Sequence, residues 1–146
     1  MQTWIRKGLC IPIAGAPEQR IESGNEVGWV GLIVRDFVGL QPRLRVDIGD
    51  RVRLGQALVY DKLKPDVNFS SPGCGEVVAI HRGERRSLQS VVVRLDGDEE
   101  ETFPFHERAA LAEIDRDEAR QQLLASGLWT AFRTRPFGNV PQVDAH

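Results

Sequence analysis

The densest group of side chains able to hold a ligand or a partner lies late in the chain. Trp129, Phe132 and Phe137 stand there with Arg133 and Arg135 inside ten consecutive residues. Aromatic faces beside guanidinium donors are enriched where proteins meet other molecules, because large apolar area and hydrogen-bond donors are presented together. The three aromatics have only nine residues after them to cover them, among them Pro141. They should therefore fold back on the preceding domain or meet another domain or subunit. A chain ending in this way is expected to be a fragment or to work with partners.

Other chemistry is thinner. The histidines His81, His106 and His146 are far apart, with no cysteine at ligand spacing, so no metal site is expected. The run Gly73-Cys74-Gly75 lacks the third glycine of a dinucleotide loop, and no Gly-Lys-Ser/Thr triplet occurs; a tight turn is the better reading. Ser70 and Ser71 precede Pro72 without a nucleophile elbow, and Cys74 has no histidine near it in sequence, so these read as turn hydroxyls and a structural thiol. The lone cysteines Cys10 and Cys74 fit a reducing compartment.

The elements that would position such residues follow from spacing. Residues 8–17 mix apolar residues with Gly and Pro and should form an extended strand or covering loop. A short β-rich run is expected at residues 29–34, ended by turn residues at 36–42. Between residues 42 and 95, Gly, Asp or Pro punctuates brief runs rich in Val and Leu, which predicts many short strands. A faint internal echo, Val46-x-x-Gly49 before Ala57 to Val59 and Ile80-x-x-Gly83 before Ser90 to Val92, repeats at an offset of about 34 residues. Two similar units wrapped round one core would give a quasi-symmetric sandwich. The charged stretches 82–86 and 96–101 each contain a glycine and read as solvated turns, the arginines also being able to face an acidic partner surface.

After residue 102 the composition turns helical. Asp115 with Glu118 three residues on resembles a capping box, Gly127 is placed to end the helix, and the helix should span 116–126 with Ala119, Leu123 and Leu124 as its apolar stripe. The expected class is mainly β with a small α part: residues 1–102 as a barrel-sandwich with an N-terminal extension, and 103–146 as a helical segment and aromatic-arginine tail leading to absent downstream domains.

Composition bounds the function. At 146 residues one domain with a sizeable core fits, and two large ones do not. A net charge of -2 offers no footprint for nucleic acid. No apolar run approaches the roughly 18 residues that cross a bilayer, and no signal peptide opens the chain, so a cytoplasmic location is expected.

Two motifs carry a resemblance. Gly49-Asp50-x-Val52-x-x-Gly55-Gln56-x-Leu58 followed by Ser71-Pro72-x-x-Gly75-x-Val77 resembles the biotinyl/lipoyl carrier pattern, in which a hairpin between the blocks displays a modified lysine. Here that hairpin holds Lys62 and Lys64 with no flanking methionine. More narrowly, the Gly8 to Pro17 block, Val38-Gly39-Leu40-Gln41-Pro42-Arg43, Gln89-Ser90-Val91-Val92-Val93 and the stretch from Ser126 to Phe137 resemble the N-terminal region of the A subunit of the Na+-translocating NADH:quinone reductase family. The likeness spans nearly the whole chain. The C subunit of Rnf-type electron-transport complexes is a more distant likeness.

The resemblance implies a barrel-sandwich hybrid in a peripheral subunit on the cytoplasmic side of the bacterial inner membrane. Its complex would oxidise NADH, reduce ubiquinone and export Na+. Flavins and the iron-sulfur cluster would sit in partner subunits and no cofactor on this chain, with ubiquinone as the one candidate ligand. A quinone head needs an apolar slot and donors for its carbonyl oxygens. Trp129, Phe132 and Phe137 could wall it, Arg133 and Arg135 could donate, and Phe37 and Val38 form a second candidate wall. The same residues would equally serve a subunit interface. Two alternatives stand beside this reading: a biotin- or lipoate-bearing module, and an Rnf-like docking domain.

Overall fold

Among the described residues, alternating burial along short runs of Val and Leu builds seven antiparallel strands. A computed structural model describes residues 14–107, 111 and 113–144. The strands are β1 (Trp29–Ile33), β2 (Pro42–Leu44), β3 (Arg51–Val52), β4 (Ala57–Asp61), β5 (Lys64–Ser70), β6 (Gly75–Arg82) and β7 (Leu88–Leu95). They form two sheets, ordered β1-β7-β6-β3 and β2-β4-β5. The expected mainly β barrel-sandwich is observed.

The core lies between the sheets. Leu58, Val59, Val67, Val77, Val91 and Val93 are the largest side chains fully removed from solvent, each burial stabilising by about 1.5–3 kcal/mol. In β7 the pattern is regular: Val91 and Val93 face inward while Arg94 faces solvent. In β4 two successive residues, Leu58 and Val59, are both buried. A register shift between Ala57 and Val59 allows it, because an irregularity in the ladder breaks the strict alternation of faces.

The glycines of the motif blocks are needed for their backbone. Gly49 and Gly55 have φ of 97° and 85°, in the left-handed region where a side chain is costly. The Gly49 amide donates to the Val77 carbonyl (2.8 Å) and the Val77 amide to that of Asp50 (2.9 Å), which ties one sheet's entry to β6.

Several expectations need correction. The left-handed positions of the β6–β7 connection, a tight turn at Glu84–Arg86, are Arg85 and Arg86 (φ 54° and 61°); Gly83 is extended at φ -100°. The stretch 96–101 is more than a solvated turn: the Leu54 amide donates to Glu99 O and the Glu101 amide to Leu54 O, with Arg53 paired to both carboxylates. The 34-residue echo is not a duplicated unit, since β4 forms a hairpin with the strand after it and β7 with the strand before it. Most of residues 8–17 lies outside the described residues, as do Cys10 and His146; residues 14–28 are exposed and form no strand.

Beyond the sheets, α1 spans Arg116–Ala125, one residue shorter than expected. The Asp115 side chain accepts from the Asp117 amide at 2.9 Å. Glu118 does not close a capping box but approaches His106 (3.9 Å). Gly127 ends the helix at φ 76°, and a Cβ there would overlap the Ser70 hydroxyl of β5. A short 3-10 turn, Leu128–Ala131, follows.

Candidate functional site

The tail folds back onto the sandwich. The Trp129 indole is half-buried against the core and donates to the Pro141 carbonyl (3.2 Å), Val140 is buried, and Val143 packs against the core. Lys64, at the start of β5, donates through Nζ to the Val140 carbonyl at 2.7 Å and lies 3.8 Å from the Asp61 carboxylate. Both side chains of that pair are largely covered, at 14% and 4% exposure. Of the two expected possibilities for the tail, folding back therefore applies to Trp129. It does not apply to Phe132 and Phe137, which stay 48% and 76% exposed.

Four of the seven candidate residues make edge-to-face or cation-π contacts. Phe37, on the turn after β1, rests edge-on against the core residue Phe69, with ring centroids 4.6 Å apart. The Arg133 guanidinium lies over the Phe37 ring, its Cζ 5.3 Å from the centroid. Trp129 and Phe132 meet edge to face at 5.5 Å. Segments 96 residues apart in sequence thus converge. Gly39 shows the same closeness: a Cβ there would sit 3.2 Å from the Asn139 amide oxygen. Val38, Arg135 and Phe137 are exposed and take part in none of these three contacts.

Arg133 is held by its neighbours. One terminal nitrogen donates to the Thr130 carbonyl and to that of Phe132 (3.2 Å). A guanidinium carries five N–H donors in a planar fork, so donors remain for a ligand oxygen above Phe37. The geometry is a cation on an aromatic face, with the exposed Phe132 next to Arg133 in sequence. It can receive a flat ring bearing carbonyl oxygens, or a partner's side chains.

The remaining candidates are structural. His81 pairs with the Ser90 hydroxyl (2.9 Å) and His106 with the Gln122 amide oxygen (3.0 Å). Among the described residues no group of three or more His, Cys, Asp or Glu side chains could hold a metal ion. Cys74 is a buried thiol 3.4 Å from the Asp96 carbonyl. Ser71 turns its hydroxyl onto the Gly73 carbonyl at 2.6 Å. At Gly75 a Cβ would collide with the Arg94 carbonyl oxygen, so this glycine permits a close approach of two strands. Lys62 sits exposed in the two-residue turn between β4 and β5, the place of a carrier lysine, whereas Lys64 is occupied by the tail. Among the described residues, two titrations are clearly displaced, those of one ion pair. The Arg51 guanidinium, bonded at 2.9 Å, holds the Asp96 carboxyl below its ordinary value, and Asp96 raises Arg51 in turn.

Sequence reasoning marked the arginines of stretch 82–86 but missed Phe69 and Lys64 as supports of this region, and missed that Arg35 and Arg43 line one recess with Arg82, Arg86 and Phe37. No local signal shows the shared recess, because residues 35–43 run from the end of β1 to β2 in the other sheet and meet residues 82–88 only through the packing of the two sheets.

No helix among the described residues is long and apolar enough to cross a membrane. Two family models match: the NqrA N-terminal barrel-sandwich hybrid domain over residues 3–96 and the NqrA second alpha/beta domain over residues 114–146. Among curated proteins, the A subunit of the Na(+)-translocating NADH-quinone reductase of Pseudomonas aeruginosa (strain UCBPP-PA14) is 52% identical over 97% of this chain and 32% of its own length. Those of Actinobacillus pleuropneumoniae serotype 5b and Pasteurella multocida are 50% and 49% identical over the same share of this chain. The chain spans about a third of the length of these relatives.

Proposed function

The chain belongs to the NqrA family, that of the A subunit of the Na(+)-translocating NADH-quinone reductase, and from that premise we propose that it is the barrel-sandwich part of such a subunit. In this reading it works inside a membrane complex that couples NADH oxidation and quinone reduction to Na+ export. The complex is the enzyme, and this portion serves docking and support rather than chemistry of its own. Its partners are the other subunits, which carry the flavins and the iron-sulfur cluster. It sits as a peripheral subunit on the cytoplasmic side of the inner membrane. The domain boundary near residue 102 divides the sandwich from the start of the next domain.

The observation that carries this reading is the likeness over 97% of the chain at about half identity to proteins of that name. The same likeness favours it over the carrier module and the Rnf-like domain. For the site, the support is the Arg133 guanidinium over Phe37, with Phe132 exposed nearby in sequence. A quinone head would lie beside the rings of Phe37 and Phe132, with Arg133 donating to a carbonyl oxygen. Val38, Arg135 and Phe137 are proposed as the outer contacts to quinone or to a neighbouring subunit.

The test is Na+-stimulated NADH:quinone reductase activity in membranes before and after deleting the reading frame that contains this chain. Loss restored by the intact frame supports membership; unchanged activity in membranes with a working pump sinks it. In the complemented strain, Arg133→Ala should raise the KM for quinone about fivefold to thirtyfold with the KM for NADH unchanged, the loss of one cation-π contact and one charged hydrogen bond. An unchanged quinone KM would leave these residues as interface contacts.

A further inference from the structure

Beside Phe37 the sandwich opens into a recess of about 360 Å³ between the end of β1, β2 and the β6–β7 turn. Four arginines line it, Arg35, Arg43, Arg82 and Arg86, with Phe37 and Leu40 among its apolar residues, and the Arg82 guanidinium donates to the Arg86 carbonyl at 3.3 Å. Among the described residues no acidic side chain lines the recess. None of the four arginines takes part in an ion pair among the described residues, whereas Arg51, Arg53 and Arg94 elsewhere on the surface all do. A chain with net charge -2 has therefore gathered four positive charges around one cavity. Like charges so close repel one another, an arrangement that becomes favourable only when an anionic group enters. The turn that carries Arg86 also places two consecutive arginines at positive φ. Such strain tends to be kept where a side chain must be aimed.

We propose that this recess docks an acidic segment of another polypeptide, its carboxylates on the arginine rim and one apolar side chain on the Phe37 and Leu40 floor. The concave shape disfavours a flat lipid surface, and the apolar floor together with a volume of several side chains exceeds what a lone phosphate would fill. Guanidiniums match carboxylates two bonds at a time, which suits an extended peptide with alternating acidic and apolar positions. The inference shares Phe37 with the quinone reading but does not rest on it.

The test is a photo-crosslinking amino acid at Ser87, an exposed residue lining the recess, in the full-length subunit expressed in its source cells. The expected adduct joins one segment of a different protein in which Asp and Glu flank an apolar residue. Arg43→Glu with Arg82→Glu should lower its yield at least about tenfold, while Arg53→Glu leaves it unchanged. Reversing two acidic residues of the captured segment to Lys should restore the yield in the doubly reversed subunit, which separates lost docking from lost folding. Adducts only to phospholipid, to a second copy, to another part of the same chain or to a neutral segment overturn the proposal. So does a yield insensitive to the double reversal, or no adduct at all. If the segment belongs to no component of an NADH-quinone reductase, docking stands and the subunit reading falls.

Discussion

Asp96 and Arg51 face each other across the end of the larger sheet at 2.9 Å, both side chains more than half exposed. The guanidinium's hydrogen bond and charge lower the folded carboxyl below its ordinary value. A depressed carboxyl contributes stability above its unfolded pKa and loses it as pH falls through the folded value. Asp96→Asn should thus narrow the gap between urea midpoints at pH 7 and pH 3, by a modest amount because the pair is solvent-screened. An unchanged gap would mean that solvent screens the pair completely. Gly75 is a stricter position: its Cβ would meet the Arg94 carbonyl. Gly75→Ala should destabilise by about 3 kcal/mol or more through forced separation of β6 and β7, seen as a lowered unfolding midpoint. The run at residues 73–75 is legible as a turn, but the carbonyl it must clear lies 19 residues away and cannot be read locally.

Between β6 and β7, Ser87 donates its amide to the Glu84 carbonyl (3.1 Å), and Arg85 and Arg86 take the two central positions at positive φ. Hairpins of this kind favour Asn-Gly, whose backbones enter that region cheaply. Arg85→Asn with Arg86→Gly should raise stability by about 1 kcal/mol or more, measured by thermal melting, while emptying one corner of the recess. A melting temperature that falls instead would show that the arginines make stabilising contacts in the turn. Sequence spacing assigns the turn's special backbone to Gly83, because glycine is the usual signal. The helix is more legible: Asp115 at its start and Gly127 at its end act locally, so position in sequence is enough to place them.

Across the whole molecule, the polar ties from the sandwich to the segment after it among the described residues are few, Lys64 to Val140 and Ser70 to Ser126, while Trp129 to Pro141 closes the tail on itself. Lys64→Met keeps the length of the stem and removes the ammonium, leaving the Val140 carbonyl without that donor. Amide exchange over residues 128–144 should speed up about tenfold, from about 1.4 kcal/mol of lost docking, while β6 and β7 keep their protection. Uniform acceleration across the chain would mean that tail and sandwich open as one unit. The same tie takes Lys64 out of consideration as a carrier lysine, since its amine is engaged and largely covered.

Sequence alone determined the β-rich sandwich, the helix with its cap and stop, and the family, because each rests on patterns a few residues long: alternation of Val and Leu with polar residues, a capping side chain, glycines at left-handed turns, and motif blocks. It also marked the aromatic-arginine tail and Phe37 as unusual. Only the tertiary structure decided that Arg133 lies over Phe37, that Lys64 fastens the tail, and that Arg35, Arg43, Arg82 and Arg86 share one recess. Those contacts join segments from about 40 to about 100 residues apart. They follow from register and from which sheet faces which, quantities fixed by packing of the whole core rather than by any local run of residues.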